Sequence, residues 1–173
     1  MTKMGMVRRI DELGRVVIPK EIRSLLKLNV GEQLEIFLQD DKMIVQRFSR
    51  LQSGFEEVEM LGKVLSNGGF SVAITDNNKV IWSSVDGCMG QSLSKEWRGE
   101  INNRQTCQRK HLQVNSLAGE EEPSKITIED VYILPILSRG DLYGSVTMWG
   151  KLDERARVQG QFVRDFLRSC IDG

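Results

Sequence analysis

The chain has 173 residues, 40% hydrophobic and 28% charged, with 24 Lys and Arg balanced by 24 Asp and Glu. These values fit one soluble globular domain or two small ones, and they exclude a polycation that simply coats nucleic acid or membrane. No stretch approaches the ~18 consecutive apolar residues of a membrane span, and the N-terminus lacks the apolar core of a signal peptide, so a cytoplasmic protein is expected.

The neutrality hides an asymmetry. Residues 1–50 carry ten Lys and Arg against seven Asp and Glu, a net +3, which leaves −3 on the remainder. A basic half is a hint of contact with a polyanion. The three cysteines, Cys88, Cys107 and Cys170, are widely spaced and form no CxxC pair. Buried, inert thiols in a reducing compartment are expected, with no metal site.

The chain opens with alternation over Gly5–Ile10, which predicts a strand: Met6, Arg8 and Ile10 share one side, Val7 and Arg9 the other. Asp11-Glu12-Leu13-Gly14 reads as a turn, with Gly14 free to take positive φ. Arg15–Ile18 is a second predicted strand. Pro19 suits a first helical position, where its missing N–H is harmless. The predicted helix runs from Pro19 to Leu26, with Ile22, Leu25 and Leu26 facing inward and Lys20, Arg23, Ser24 and Lys27 outward. Asn29-Val30-Gly31 breaks it. Strands over 34–38 and 43–48 follow, joined by an Asp40-Asp41-Lys42 turn, so residues 1–50 are expected to fold as β-β-α-β-β.

A unit of about fifty residues buries only roughly 60% of its unfolded surface, and this one has no disulfide or metal to compensate. Pairing with a second copy is the natural escape, so an obligate dimer is expected on size alone.

Residues 50–66 read as a connecting helix, with Phe55, Val58, Leu61, Val64 and Leu65 at helical spacing, interrupted by Gly54 and Gly62. This stripe either packs on its own domain or pairs with a partner chain. Beyond Asn67-Gly68-Gly69 the pattern changes. A hairpin is predicted over 70–83 around Asp76-Asn77-Asn78. A helix follows over 92–102, capped by Ser92 or Ser94, then a strand over 111–115 and an acidic loop over 116–124. Strands over 131–137 and 142–149 meet at a turn over 138–141. A closing helix over 153–170 places Phe162, Val163, Phe166, Leu167 and Cys170 on one side. This order predicts an antiparallel sheet with helices packed on it.

Catalysis finds little to work with. His111 is the single histidine, and no GxSxG, HExxH, P-loop or GxGxxG occurs. His111 reads as a sheet-surface residue, and Glu120-Glu121-Glu122 as a solvated face, so no enzyme is expected. Arg8, Arg9, Arg15 and Arg23 are a stronger signal. Guanidinium groups bind phosphate and guanine edges bidentately, and a dimer would present twice four. The competing reading pairs each with a nearby acid such as Asp11, Glu12 or Glu21, as a surface salt bridge of little worth.

The run GMVRRIDELGRVVIPKEIRSLLKLNVGEQLEIFLQDDKMIVQRF, over 5–48, resembles the AbrB-type swapped-hairpin DNA-binding domain. The pattern of Asp-Glu-Leu-Gly-Arg-Val-Val-Ile-Pro, Glu-Ile-Arg and Leu-Glu-Ile carries the likeness. The resemblance implies an interlocked homodimer on double-stranded DNA, with Arg8, Arg15 and Arg23 at contact positions and Arg9 beside them. Lys20 and Lys27 complete the basic face. Many members have arginine at the position of Ser24, which bears on affinity and target preference. The order of a swapped-hairpin domain, a linking helix and an α/β module resembles AbrB/SpoVT-type transcription regulators of spore-forming Gram-positive bacteria, and LPILSRGDLYGSVTMWG resembles the last strands of a GAF domain.

The resulting expectation is an α+β chain. It comprises a swapped-hairpin β-barrel dimer over 1–50, a linking helix over 51–66, and a GAF-like antiparallel regulatory or oligomerisation domain over 67–173. The implied role is regulation of sporulation genes in the nucleoid of the forespore, as a tetramer through the GAF-like domain, with no cofactor. Trp82, Trp97, Tyr132 and Trp149 are candidate pocket residues for a small-molecule effector; the competing reading places them in the core. An antitoxin of the same DNA-binding fold is the alternative function.

Overall fold

A change of pattern at Phe48 divides the chain into two compact units, 1–48 and 49–173. The computed structural model describes residues 5–26, 28, 30, 34–115 and 125–172. Lys27, Asn29, Gly31 and the acidic loop over 116–124 lie outside them.

In the first unit, α1 spans Lys20–Leu25. The hairpin of β1 (Leu34–Gln39) and β2 (Lys42–Arg47) pairs antiparallel from Leu34↔Arg47 to Gln39↔Lys42. Its tight turn needs positive φ at Asp40, 52°, a conformation that Asp tolerates better than most residues. Pro19 precedes the helix as its N-cap rather than standing inside it.

The two expected strands over Gly5–Ile10 and Arg15–Ile18 are not strands in the chain taken alone. They form two arms joined by the expected turn, in which Gly14 N–H donates to Asp11 O (2.9 Å) and Gly14 adopts φ 75°. A strand needs a neighbouring ladder, and the pairing β1 has in this unit is with β2.

Of the helix face expected to point inward, Ile22 is half-buried, but Leu25 and Leu26 stay exposed, as do most apolar side chains among the unit's described residues. Val7 is 92% exposed and Leu25 70%, and Ile10, Leu13, Val17, Leu26, Ile36 and Leu38 are exposed as well. Pro19 is the one buried side chain among the unit's described residues.

The second unit opens with α2 (Arg50–Ser53) and α3 (Phe55–Ser66), separated at Gly54, whose ψ of 43° leaves the helical region. The expected continuous helix is thus broken in its first turn. Ser49 caps α2, its Oγ accepting from Gln52 N–H (3.3 Å).

The hairpin of β3 (Ser71–Thr75) and β4 (Val80–Ser83) follows. Asp76 Oδ1 holds its turn by accepting from the amides of Asn78 (2.7 Å) and Lys79 (2.8 Å). Ser94 caps α4 (Lys95–Asn102) through Trp97 N–H (3.0 Å). Then come β5 (Cys107–Asn115), β6 (Lys125–Ser138), β7 (Asp141–Trp149) and α5 (Glu154–Asp172). The antiparallel sheet has the order β4-β3-β7-β6-β5.

Period-2 alternation sorts the sheet into two cores. Val72, Ile74, Leu134, Ile136, Val146 and Met148 pack with Leu51, Val58, Leu61 and Leu65 of α2 and α3 and with Val163 and Leu167 of α5. On the other face Ala73, Leu112, Val114, Val131 and Ile133 pack with Trp97 and Ile101 of α4. Two glycines let helices approach closely. A Cβ on Gly62 would overlap the ring of Trp82, and one on Gly160 would overlap Met148 Sδ.

Candidate nucleic-acid interface

The arms and α1 carry the basic residues. Arg8, Arg9, Arg15, Lys20 and Arg23 are all exposed. Among the described residues Arg8 makes only a local bond, its Nη1 donating to Val7 O (3.2 Å). Among the described residues, no side-chain partner holds Arg9, Lys20 or Arg23. The pairing of each arginine with an acid, weighed from the sequence, is met at Arg15 alone.

Asp11 organises the turn beneath these groups. Its Oδ1 accepts from the amides of Leu13 (3.0 Å) and Arg15 (2.8 Å), while Oδ2 takes the Arg15 Nε–H (2.8 Å). Asp11 N–H in turn donates to Arg15 O (3.1 Å). These bonds, first the Arg15 amide and then its guanidinium, hold the Asp11 carboxyl below its ordinary pKa. The Arg15 side chain remains 71% exposed, and with Nε–H alone engaged the four N–H donors on its two terminal nitrogens stay available for phosphate. Sequence reading found the turn but not this role of Asp11; an Asp three residues before a turn glycine was the available signal.

The second unit offers different chemistry. Trp82 and Tyr132 lie in the core beneath α3 and α5, and Trp97 and Trp149 in the core beneath α4. The sheet separates the two pairs, so the four side chains do not line one cavity. Trp97 Nε1–H donates to Thr147 Oγ1 (3.1 Å), and Tyr132 Oη accepts from Gln161 of α5 (3.1 Å). Both are the polar handles of packed aromatics.

Surface grooves in this unit are lined by other residues. One of about 610 Å³ runs between α4 and β5 past Glu96, Glu100 and Gln113. Another of about 350 Å³ lies by Asn67, Phe70, Asp153 and Gln159. Arg109 of β5 clamps Glu100 of α4 through two bonds (2.8 and 2.7 Å), which keeps that carboxyl below its usual range.

His111 sits exposed on β5, 3.9 Å from Glu129. Cys88 is buried, Cys107 half-buried and Cys170 exposed, so the expectation of buried thiols holds at the first alone. No helix among the described residues is long and apolar enough to cross a membrane.

Two comparisons bear on the first unit. The family described as antidote-toxin recognition MazE, bacterial antitoxin, matches residues 7–47. The transition state regulatory protein AbrB of Bacillus subtilis is 46% identical over 48 residues, covering 28% of this chain and 50% of AbrB. A third spans both units. Stage V sporulation protein T of B. subtilis is 31% identical over 170 residues, covering 94% of this chain and 93% of that protein. Identity sustained over nearly the full length of both proteins shows that the chain belongs to the AbrB/SpoVT-type family of regulators.

Proposed function

We propose that the chain is a transcription regulator of sporulation genes that binds duplex DNA as a homodimer through residues 1–50. The observation that carries this reading is the uncovered apolar surface of the first unit, beside a basic arm with few internal partners. A unit of this size with its aliphatic residues in water lacks a core of its own, and association supplies the missing half.

The arms over 5–10 and 15–18 then find ladder partners in the second copy, the interlocked arrangement called a swapped hairpin. Two copies bring two sets of Arg8, Arg9, Arg15, Lys20, Arg23 and Lys27 to one duplex. Phosphate contacts position the dimer, while base contacts and DNA shape select the site.

The second unit is GAF-like in this reading and serves self-association into a tetramer. Its support is a second apolar stripe on α5, formed by Val158, Phe162 and Phe166 and turned to solvent; Met60 and Val64 of α3 are exposed as well. Effector sensing gains no common cavity from the four aromatics. The antitoxin alternative draws on the match over 7–47. It gives no role to the folded second unit, which the full-length relative shares.

Fluorescence anisotropy with a promoter duplex and a scrambled one tests the DNA reading. Arg8→Ala, Arg15→Ala and Arg23→Ala should each weaken promoter binding by about tenfold or more, as loss of ~1–3 kcal/mol per contact implies. Unchanged affinity in all three would leave the arginines as a solvated surface.

A further inference from the structure

The joint between the two units is short and anchored at one end. Only Phe48 and Ser49 separate the last residue of β2 from the first of α2. That first residue, Arg50, reaches across the second unit, its Nη1 donating to Ile171 O at 2.7 Å in the last turn of α5. The carbonyls of a helix's last turn lack intrahelical donors and carry the negative end of its dipole, so a guanidinium there is well matched. The next residue, Leu51, is buried in the same core as Leu167 and Ile171.

The end of α5 is held from a second direction. Arg139, in the β6–β7 turn, donates from Nη2 to Asp172 O (3.1 Å), and its Nε lies 3.5 Å from the Asp172 carboxylate. Ser138 Oγ donates to that carboxylate. The same helix carries Val158, Phe162 and Phe166 on its outer face. One element therefore bears both the proposed assembly face and the anchor of the joint.

We propose that the Arg50 clasp on α5 is an allosteric link, through which self-association of the second unit and DNA binding by the first favour one another. The inference rests on the reading above and goes beyond it. Association on the outer face of α5 fixes that helix. The fixed helix end then holds Arg50 and the two-residue joint, so the DNA-binding unit loses less freedom on reaching the duplex. Arg50 is a positioning residue in this scheme.

Linkage in the full chain tests it, because coupling between two binding events is reciprocal. The dimer–tetramer midpoint is measured by sedimentation with and without saturating promoter duplex. DNA should lower the wild-type midpoint about tenfold, within the roughly 5–150-fold range of such couplings. Arg50→Ala should still bind DNA and still form tetramers, but the shift should fall below about twofold, and Arg50→Lys should keep part of it. Reading the shift rather than the affinity removes any direct contact of Arg50 with phosphate.

Arg139→Ala is the structural control. It loses a bond at the same helix end without touching the joint, and should keep the full shift. An equal shift in Arg50→Ala and wild type overturns the clasp, as does a wild type that binds DNA with no shift, or one that forms no tetramer. Flat anisotropy of the wild type on every duplex would instead overturn the DNA-binding reading, and the clasp with it.

Discussion

The Asp11 side chain accepts three bonds of the arm turn, and two of them come from backbone amides. That division makes its variants informative. Asp11→Asn keeps an acceptor for Leu13 and Arg15 N–H while discharging the contact with the guanidinium, so the turn should persist and DNA affinity should stay within about twofold. Asp11→Ala removes both acceptors. It should speed exchange of the Leu13 and Arg15 amides and weaken DNA binding several-fold, as hydrogen exchange and anisotropy would record. A pH dependence follows with a definite sign. The Asp11 pKa is lowered in the folded chain, so its stabilisation is complete above the ordinary carboxylate range and is lost as pH falls through the lowered value. The Leu13 and Arg15 amide resonances should titrate together at acid pH; amides that do not move would contradict the assigned bonds.

Among the elements, α3 and α5 pack closely where they cross the sheet. Gly62→Ala would force the buried Trp82 ring to shift, and Gly160→Ala would push on Met148. Overpacking of this kind costs ~1–3 kcal/mol. A lowered urea midpoint for the second unit would register it, and an unchanged midpoint would mean the helices slide freely. The sequence showed Gly62 as an interruption of a helical stripe, because periodicity reports which residues are apolar and not how near a helix approaches. Strands β3, β4 and β7 and the second half of β6 were legible since apolar residues run there with both faces buried, whereas the first half of β6, 125–130, is largely exposed and was not predicted. The first half of β5, with its Gln108-Arg109-Lys110 run, was missed: a solvated edge strand has too few apolar positions to alternate. In α5 the apolar residues form two stripes, Ala156, Gly160, Val163, Leu167 and Ile171 inward and Val158, Phe162 and Phe166 outward. Reading them as one side merged them. The arms, expected as strands, are not strands in this chain: a ladder is a property of two segments, and the proposed second segment belongs to another copy.

For the whole molecule, two association events are expected to differ in kind. Pairing of the first unit completes a core, so its thermal unfolding should move to higher temperature as concentration rises. A midpoint independent of concentration would mean the unit folds alone. Association on α5 joins units that already have cores, and Phe162 is 66% exposed there. Phe162→Ser should convert tetramers to dimers in sedimentation while the fold and the DNA contact survive, and a tetramer that persists would direct attention to another face. The central claim is that the arm arginines of a dimer lie on phosphates. Its most direct test is the salt dependence of promoter binding. Neutralising about six to eight phosphates gives a log–log slope of roughly −5 to −7, reduced by about one for each phosphate contact removed by Arg15→Ala or Arg23→Ala. An affinity that is flat from low to physiological salt, and unmoved by either substitution, would contradict it.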